Sequence, residues 1–148
     1  MRVIVDVDDN FKEDEIIIRC KEKNDLVNQI EKYIKDLNDI KIILYQKDNE
    51  YYISLNEILF FETYDNGIRA HTINDIYHVK YKLYELETIL PKNFVRISKS
   101  TIVNINHIYS INKNITSSSL IEFNKTHKTV YVSRFYYKIL KEKMKERS

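Results

Sequence analysis

From Ile40 onward, apolar and polar residues alternate in short runs, the period expected when successive side chains point to opposite faces of a sheet. Five runs come first, at 41–46, 50–54, 58–63, 68–72 and 76–79, and polar clusters such as Lys47-Asp48-Asn49, Asp65-Asn66-Gly67 and Asn74-Asp75 divide them. The Asp-Asn-Gly cluster holds the only glycine in the chain, so a positive φ is expected at Gly67. Residues 82–90 change to a helical period, with Leu83, Leu86, Ile89 and Leu90 on the inner face and Pro91 as the stop. Strands are expected again around Val95 and at 108–111, 120–123 and 129–132. A last helix from Arg134 to about Lys145 carries Tyr136, Ile139, Leu140 and Met144 as one apolar stripe. The fold class is therefore mainly β with short helices (α+β).

Residues 1–38 read differently, as a small β-β-α extension. Residues 1–7 alternate, 15–20 form a β-branched run, and Asn24 can cap a helix whose Leu26, Val27, Ile30, Ile34 and Leu37 share a face. The boundary near Asp39 separates this extension from a main domain at 39–148. An amphipathic helix must pack on something, so the extension is expected to dock on the main domain or on a second copy of the chain.

A chain of 148 residues with 43% apolar side chains can bury a core without covalent staples. Its single cysteine, Cys20, excludes an internal disulfide framework and any multi-cysteine metal site. With no signal peptide and no long apolar run, a cytoplasmic location is expected. The net charge of +2 hides an asymmetry: residues 1–39 carry 7 basic and 11 acidic side chains, whereas 40–148 carry 17 and 11. From Lys92 onward there are 12 basic residues against only Glu122, Glu142 and Glu146. Such a surplus suits a polyanion-binding surface, and it equally suits a solvated lysine face.

Three segments decide between these. The run Phe94-Val95-Arg96-Ile97-Ser98-Lys99-Ser100-Thr101-Ile102-Val103-Asn104 sets arginine, lysine and hydroxyls on a strand-like frame ending in a turn. Val130-Tyr131-Val132-Ser133-Arg134 stops a β-rich run at a serine that can cap the following helix, with an arginine in its first turn. Together with Tyr51-Tyr52-Ile53-Ser54-Leu55-Asn56-Glu57-Ile58-Leu59-Phe60-Phe61-Glu62, these segments resemble the LytTR family, the DNA-binding output domain of many bacterial response regulators. The resemblance covers roughly residues 40 to 140. It implies an elongated stack of antiparallel sheets that reads double-stranded DNA with loops instead of a recognition helix, and two copies acting as a homodimer on direct repeats.

Carried over residue by residue, the resemblance implies base contacts from Lys99 in the loop after the Phe94–Arg96 run, from Arg134, and from Asn66 in the loop after Phe60-Phe61-Glu62. Lysine and arginine donate to guanine O6 and N7, and asparagine pairs with adenine. Ser98, Ser100 and Thr101 would hold phosphates, as would Arg69, Ser133 and Lys138. Arg96 belongs to the same backbone-contacting set, although an arginine at that strand position can equally pair with a carboxylate. Asn66 also has the plain reading of a hairpin turn residue.

Other patterns lead nowhere. Asp6, Asp8 and Asn10 open like a calcium loop, but Phe11 and Ile17 occupy the positions that need glycine and glutamate. Val5-Asp6-Val7-Asp8-Asp9 is similar to the acidic start of a receiver domain, yet fewer than forty residues precede the β domain, so no phosphoacceptor is expected. His71, His78, His107 and His127 lack ligand spacing and no nucleophile accompanies them. No enzyme activity, cofactor, metal or small-molecule substrate is expected. The main expectation is a DNA-binding transcriptional regulator with a possible regulatory protein partner. Two others stay open: an interaction module with weak or lost DNA binding, and single-stranded RNA binding through some of the twelve tyrosines.

Overall fold

The structure is a computed structural model that describes residues 1–38, 41–114 and 117–147. It forms two compact units, Met1–Asn38 and Asp39–Ser148.

In the second unit, the alternating runs become β1 (Lys41–Gln46), β2 (Asn49–Ser54), β3 (Phe60–Tyr64), β4 (Gly67–His71) and β5 (Ile76–Val79). Helix α2 (Leu83–Ile89) leads into β6 (Phe94–Ser98) and β7 (Thr101–Asn104). After them come β8 (Ile108–Asn112), β9 (Ser119–Phe123), β10 (Thr129–Val132) and helix α3 (Arg134–Arg147). Seven strands form one antiparallel sheet in the order β2-β1-β5-β4-β3-β7-β6, and three form a second in the order β10-β9-β8. Short 3-10 turns at Leu55–Glu57 and Ile105–His107 precede β3 and β8, each held by a side chain, Ser54 or Asn104, accepting from the backbone two residues on.

The period of two sends neighbouring residues of β3 into different cores. Phe61 joins Leu44, Ile58, Ala70, Leu86 and Ile102 on the α2 side of the large sheet. Phe60 joins Leu59, Val103, Ile121, Val132 and Leu140 on the side shared with the small sheet and α3. Each fully buried Leu, Ile or Phe among them contributes roughly 1.5–3 kcal/mol. Of the polar residues buried with them, Asn104 is the deepest at 1% exposed; it donates to the Ile58 carbonyl at 3.0 Å and accepts from Asn93 Nδ2 at 2.9 Å and from the Asn106 N–H at 3.1 Å. Both polar atoms of its side chain are thus hydrogen-bonded within the protein. At one end of the sheets, Lys128 Nζ donates to the carbonyls of Thr72 and Asp75 at 2.8 Å each, and Thr126 Oγ1 donates to the Ile73 carbonyl at 3.1 Å. These bonds tie the β9–β10 turn to the β4–β5 turn.

Several expectations change. The strand β7 separates from the segment read as a loop, because all four of its residues are buried and show no alternation. The residue with positive φ in the β3–β4 turn is Asp65 (φ 51°), and Gly67 instead pairs across the hairpin with Tyr64. One positive φ at the first central residue is what a two-residue II′ hairpin requires. Ile89 and Ile139 are exposed, and Tyr137 packs with Tyr136 and Met144 in α3's inner stripe.

In the first unit, α1 (Asp25–Asn38) forms as read, with Asn24 Oδ1 accepting from the Val27 N–H at 3.0 Å. The two strands do not form: residues 1–24 carry no strand, and Asp8 to Phe11 make a turn. Charge explains why. The register that lays Val3, Ile4 and Val5 against Ile18, Ile17 and Ile16 also sets Arg2 opposite Arg19 and Asp6 opposite Glu15. Like charges directly opposed are destabilising, and a lone two-stranded hairpin has little stability to spare.

Candidate nucleic-acid interface

Strands β3 and β6 both run antiparallel to β7, so they are parallel to one another and reach their turns at the same end of the large sheet. The β3–β4 turn presents Asp65 and Asn66, and the β6–β7 turn presents Lys99 and Ser100. Beyond the ladder, the Thr63 N–H donates to the Ser100 carbonyl at 2.9 Å and joins the two hairpins just below their tips. Strand β10 ends at this same place. The Ser133 N–H donates to the Ile97 carbonyl at 2.9 Å, and the Ser133 carbonyl accepts from Tyr136 and Tyr137 as α3 begins. Three segments far apart in sequence are therefore sewn together through backbone bonds, with Asn66, Lys99 and Arg134 all exposed.

The β6–β7 turn is braced from inside. Arg96 Nε donates to the Ser98 carbonyl at 2.6 Å, its Nη2 donates to the Lys99 carbonyl, and its Nη1 pairs with Glu87 at 2.8 Å. Of the two readings open for Arg96, the structure gives the carboxylate pairing. The Ser98 hydroxyl accepts from the Ser100 N–H at 3.2 Å, and Thr101 is 7% exposed with its hydroxyl 3.4 Å from Ser100 Oγ. Ser100 is thus the exposed hydroxyl of the turn, while Thr101 is largely withdrawn from it.

Arg69 is also committed. Its Nη2 lies 2.9 Å from Glu62 Oε1, and its guanidinium carbon sits 3.5 Å above the ring centre of Tyr64. The same carboxylate oxygen lies 2.8 Å from His71 Nε2. Burial pushes the Glu62 pKa up, and the hydrogen bonds from Arg69 and His71 outweigh that, leaving it below the ordinary value. For His71, burial lowers the pKa and Glu62 only partly offsets it. An ionised carboxylate can only accept, so Nε2 carries the proton and donates. His71 Nδ1 and Arg69 Nε are buried without a hydrogen-bond partner. The His71 ring stacks on Phe60 at 4.2 Å. This group of side chains stiffens the base of the β3–β4 hairpin.

One residue of the basic surplus, Lys113, gains a place near these segments that the sequence did not give it. Lys113, at the end of β8, lines a shallow groove with Asn114, Ser117, Ser119, Arg134 and Tyr137, and its Nζ lies 5.3 Å from the Tyr137 ring centre. It reaches the same groove as Arg134 although β9 lies between β8 and β10. Lys138, one turn into α3, is exposed.

Residues 48–145 match the family model described as the LytTr DNA-binding domain. The chain belongs to the LytTR family. A relative from Staphylococcus aureus strain NCTC 8325, called an uncharacterized HTH-type transcriptional regulator, is 31% identical over 145 residues, 97% of this chain and 98% of its own. Another of the same description, from strain MSSA476, is 33% identical over 138 residues, 91% of this chain and 93% of its own. A solved LytTr DNA-binding domain from Bacillus cereus superposes with a TM-score of 0.65 at 27% identity, covering 70% of this chain and 95% of that one. As a LytTR domain, the second unit is a DNA-binding module of mainly antiparallel β structure. No two of its described helices follow one another in the chain. The family model begins within the second unit, whereas the Staphylococcus relatives align along the first unit as well.

Proposed function

We propose that this protein is a transcriptional regulator that binds double-stranded DNA sequence-specifically in the cytoplasm, with loop tips entering the major groove. The observation that supports this most is the union of three tips at one end of the large sheet through the Thr63–Ser100 and Ser133–Ile97 bonds. Lys99 and Arg134 are the guanine-reading donors and Asn66 the adenine reader. Ser100, Ser133, Lys138 and the newly placed Lys113 hold phosphates, which fixes register without reading sequence. Arg96, Arg69 and Thr101 serve this face from behind, by fixing the turns that carry the readers.

The test is fluorescence anisotropy of the full chain on duplex DNA from upstream of its own gene, against scrambled duplex and across a salt series. Competitor-resistant binding with a steep salt slope is expected. Equal, weak affinity for both duplexes would overturn sequence reading and favour an interaction module.

A further inference from the structure

The two apolar runs of the first unit lie open: Ile16 is 68% exposed, Ile17 62% and Ile18 37%, and Val3, Ile4, Val5 and Val7 are each at least 70% exposed. In the register that matches their apolar residues within one chain, Arg2 faces Arg19 and Asp6 faces Glu15. The run around Ile17 nevertheless has a charge pattern that fits one particular occupant. About Ile17, each charge is mirrored by its opposite: Glu15 by Arg19, Glu13 by Lys21, and Lys12 by Glu22. Ile16 mirrors Ile18.

We infer that residues 12–22 pair antiparallel with the same segment of a second copy of this chain, about a two-fold axis at Ile17. In that register Ile17 meets its own counterpart and Ile16 meets Ile18. Glu15, Glu13 and Lys12 meet Arg19, Lys21 and Glu22, giving three complementary charge pairs on each side of the axis. A parallel pairing would oppose Glu15 to Glu15 and Arg19 to Arg19, so the charges select the antiparallel ribbon. Shifting by two residues sets isoleucines opposite charged side chains, so they also select the register. None of these six charged residues makes an ion pair among the described residues, so all are available. Residues 1–7 offer a single pair of this kind, Arg2 against Asp6 about Ile4, which places the axis at Ile17 instead.

A two-stranded ribbon needs a covered face. Ile16 and Ile18 of both copies share one face, and the exposed stripe of α1, with Leu26 at 52%, Tyr33 at 66% and Leu37 at 60%, supplies a cover of the right chemistry. The pairing holds two DNA-binding units in one molecule without drawing on the reading loops, and it stands independently of the DNA reading proposed above.

The experiment is a charge swap on the full chain, read by sedimentation velocity at tens of micromolar protein. Glu15→Arg alone and Arg19→Glu alone each oppose like charges on both sides of the axis, and each weakens the dimer at least about tenfold. An equimolar mixture of the two variants restores the dimer, because every mixed pair is complementary, and so does the double variant Glu15→Arg/Arg19→Glu. Rescue by mixing separates the pairing from misfolding. A monomeric parent, single variants as dimeric as the parent, or a mixture that stays monomeric would each overturn the inference.

Discussion

The backbone N–H of Ser133 donates to the carbonyl of Ile97 at 2.9 Å, joining the entrance of α3 to the strand that leads into Lys99. Arg134 and Lys99 thereby share one face although 35 positions separate them in the chain. Replacing either by alanine is expected to lower affinity for a specific site by about 1–3 kcal/mol and to relax the preference at a different base pair for each. Anisotropy against a panel of single-base variants of the site checks this. Equal losses on matched and scrambled DNA would count against base reading.

Arg96 holds the β6–β7 turn by donating to two carbonyls and to Glu87. Arg96→Ala is expected to lower stability by about 1–3 kcal/mol and to weaken DNA binding, because Lys99 loses its platform. Glu87→Ala, which removes the exposed member of the pair and leaves both carbonyl bonds of Arg96, costs under about 1 kcal/mol. Urea melts and binding curves on the same two variants separate bracing from direct phosphate contact: a phosphate contact would change the salt slope of Arg96→Ala and leave its stability intact.

The pH dependence of stability follows from Glu62 and His71, whose folded pKa values both lie below their ordinary ones of 4.5 and 6.5. A group with a depressed folded pKa stabilises above its unfolded value and loses that contribution as pH falls. Stability should therefore decline on acidification from pH 6.5, through His71 first and through Glu62 below pH 4.5. His71→Gln should flatten the fall in Tm between neutral pH and pH 5. A profile that descends as steeply as the parent's would remove His71 from this role.

Asn104→Ala leaves the Ile58 carbonyl and the Asn93 amide without their partner in a site 1% exposed. A loss of about 2–3 kcal/mol is expected, with little change in affinity per folded molecule. Denaturant melts alongside DNA binding corrected for the folded fraction distinguish the two effects.

Much of the sheet was legible because strands such as β1 and β5 alternate cleanly between buried and exposed positions. Strand β7 was hidden for the opposite reason: buried on both faces, Thr101 to Asn104 present no alternation to detect, and their polar ends resemble a loop. The candidate reading residues were visible as residue types in motif context, but their partners were not. That Arg96 is spent on Glu87, or that Lys113 stands near Arg134, depends on strand order and register. In the first unit, β-branched residues suggested strands, and the charges opposed across the matching register decided against them within a single chain.

The bonds from Lys128 and Thr126 to the β4–β5 turn lie at the far end of the sheets from Asn66, Lys99 and Arg134. With the Ser133–Ile97 bond at the opposite end, they clasp the two sheets at both ends, so the Lys99 turn and the start of α3 are carried as one piece.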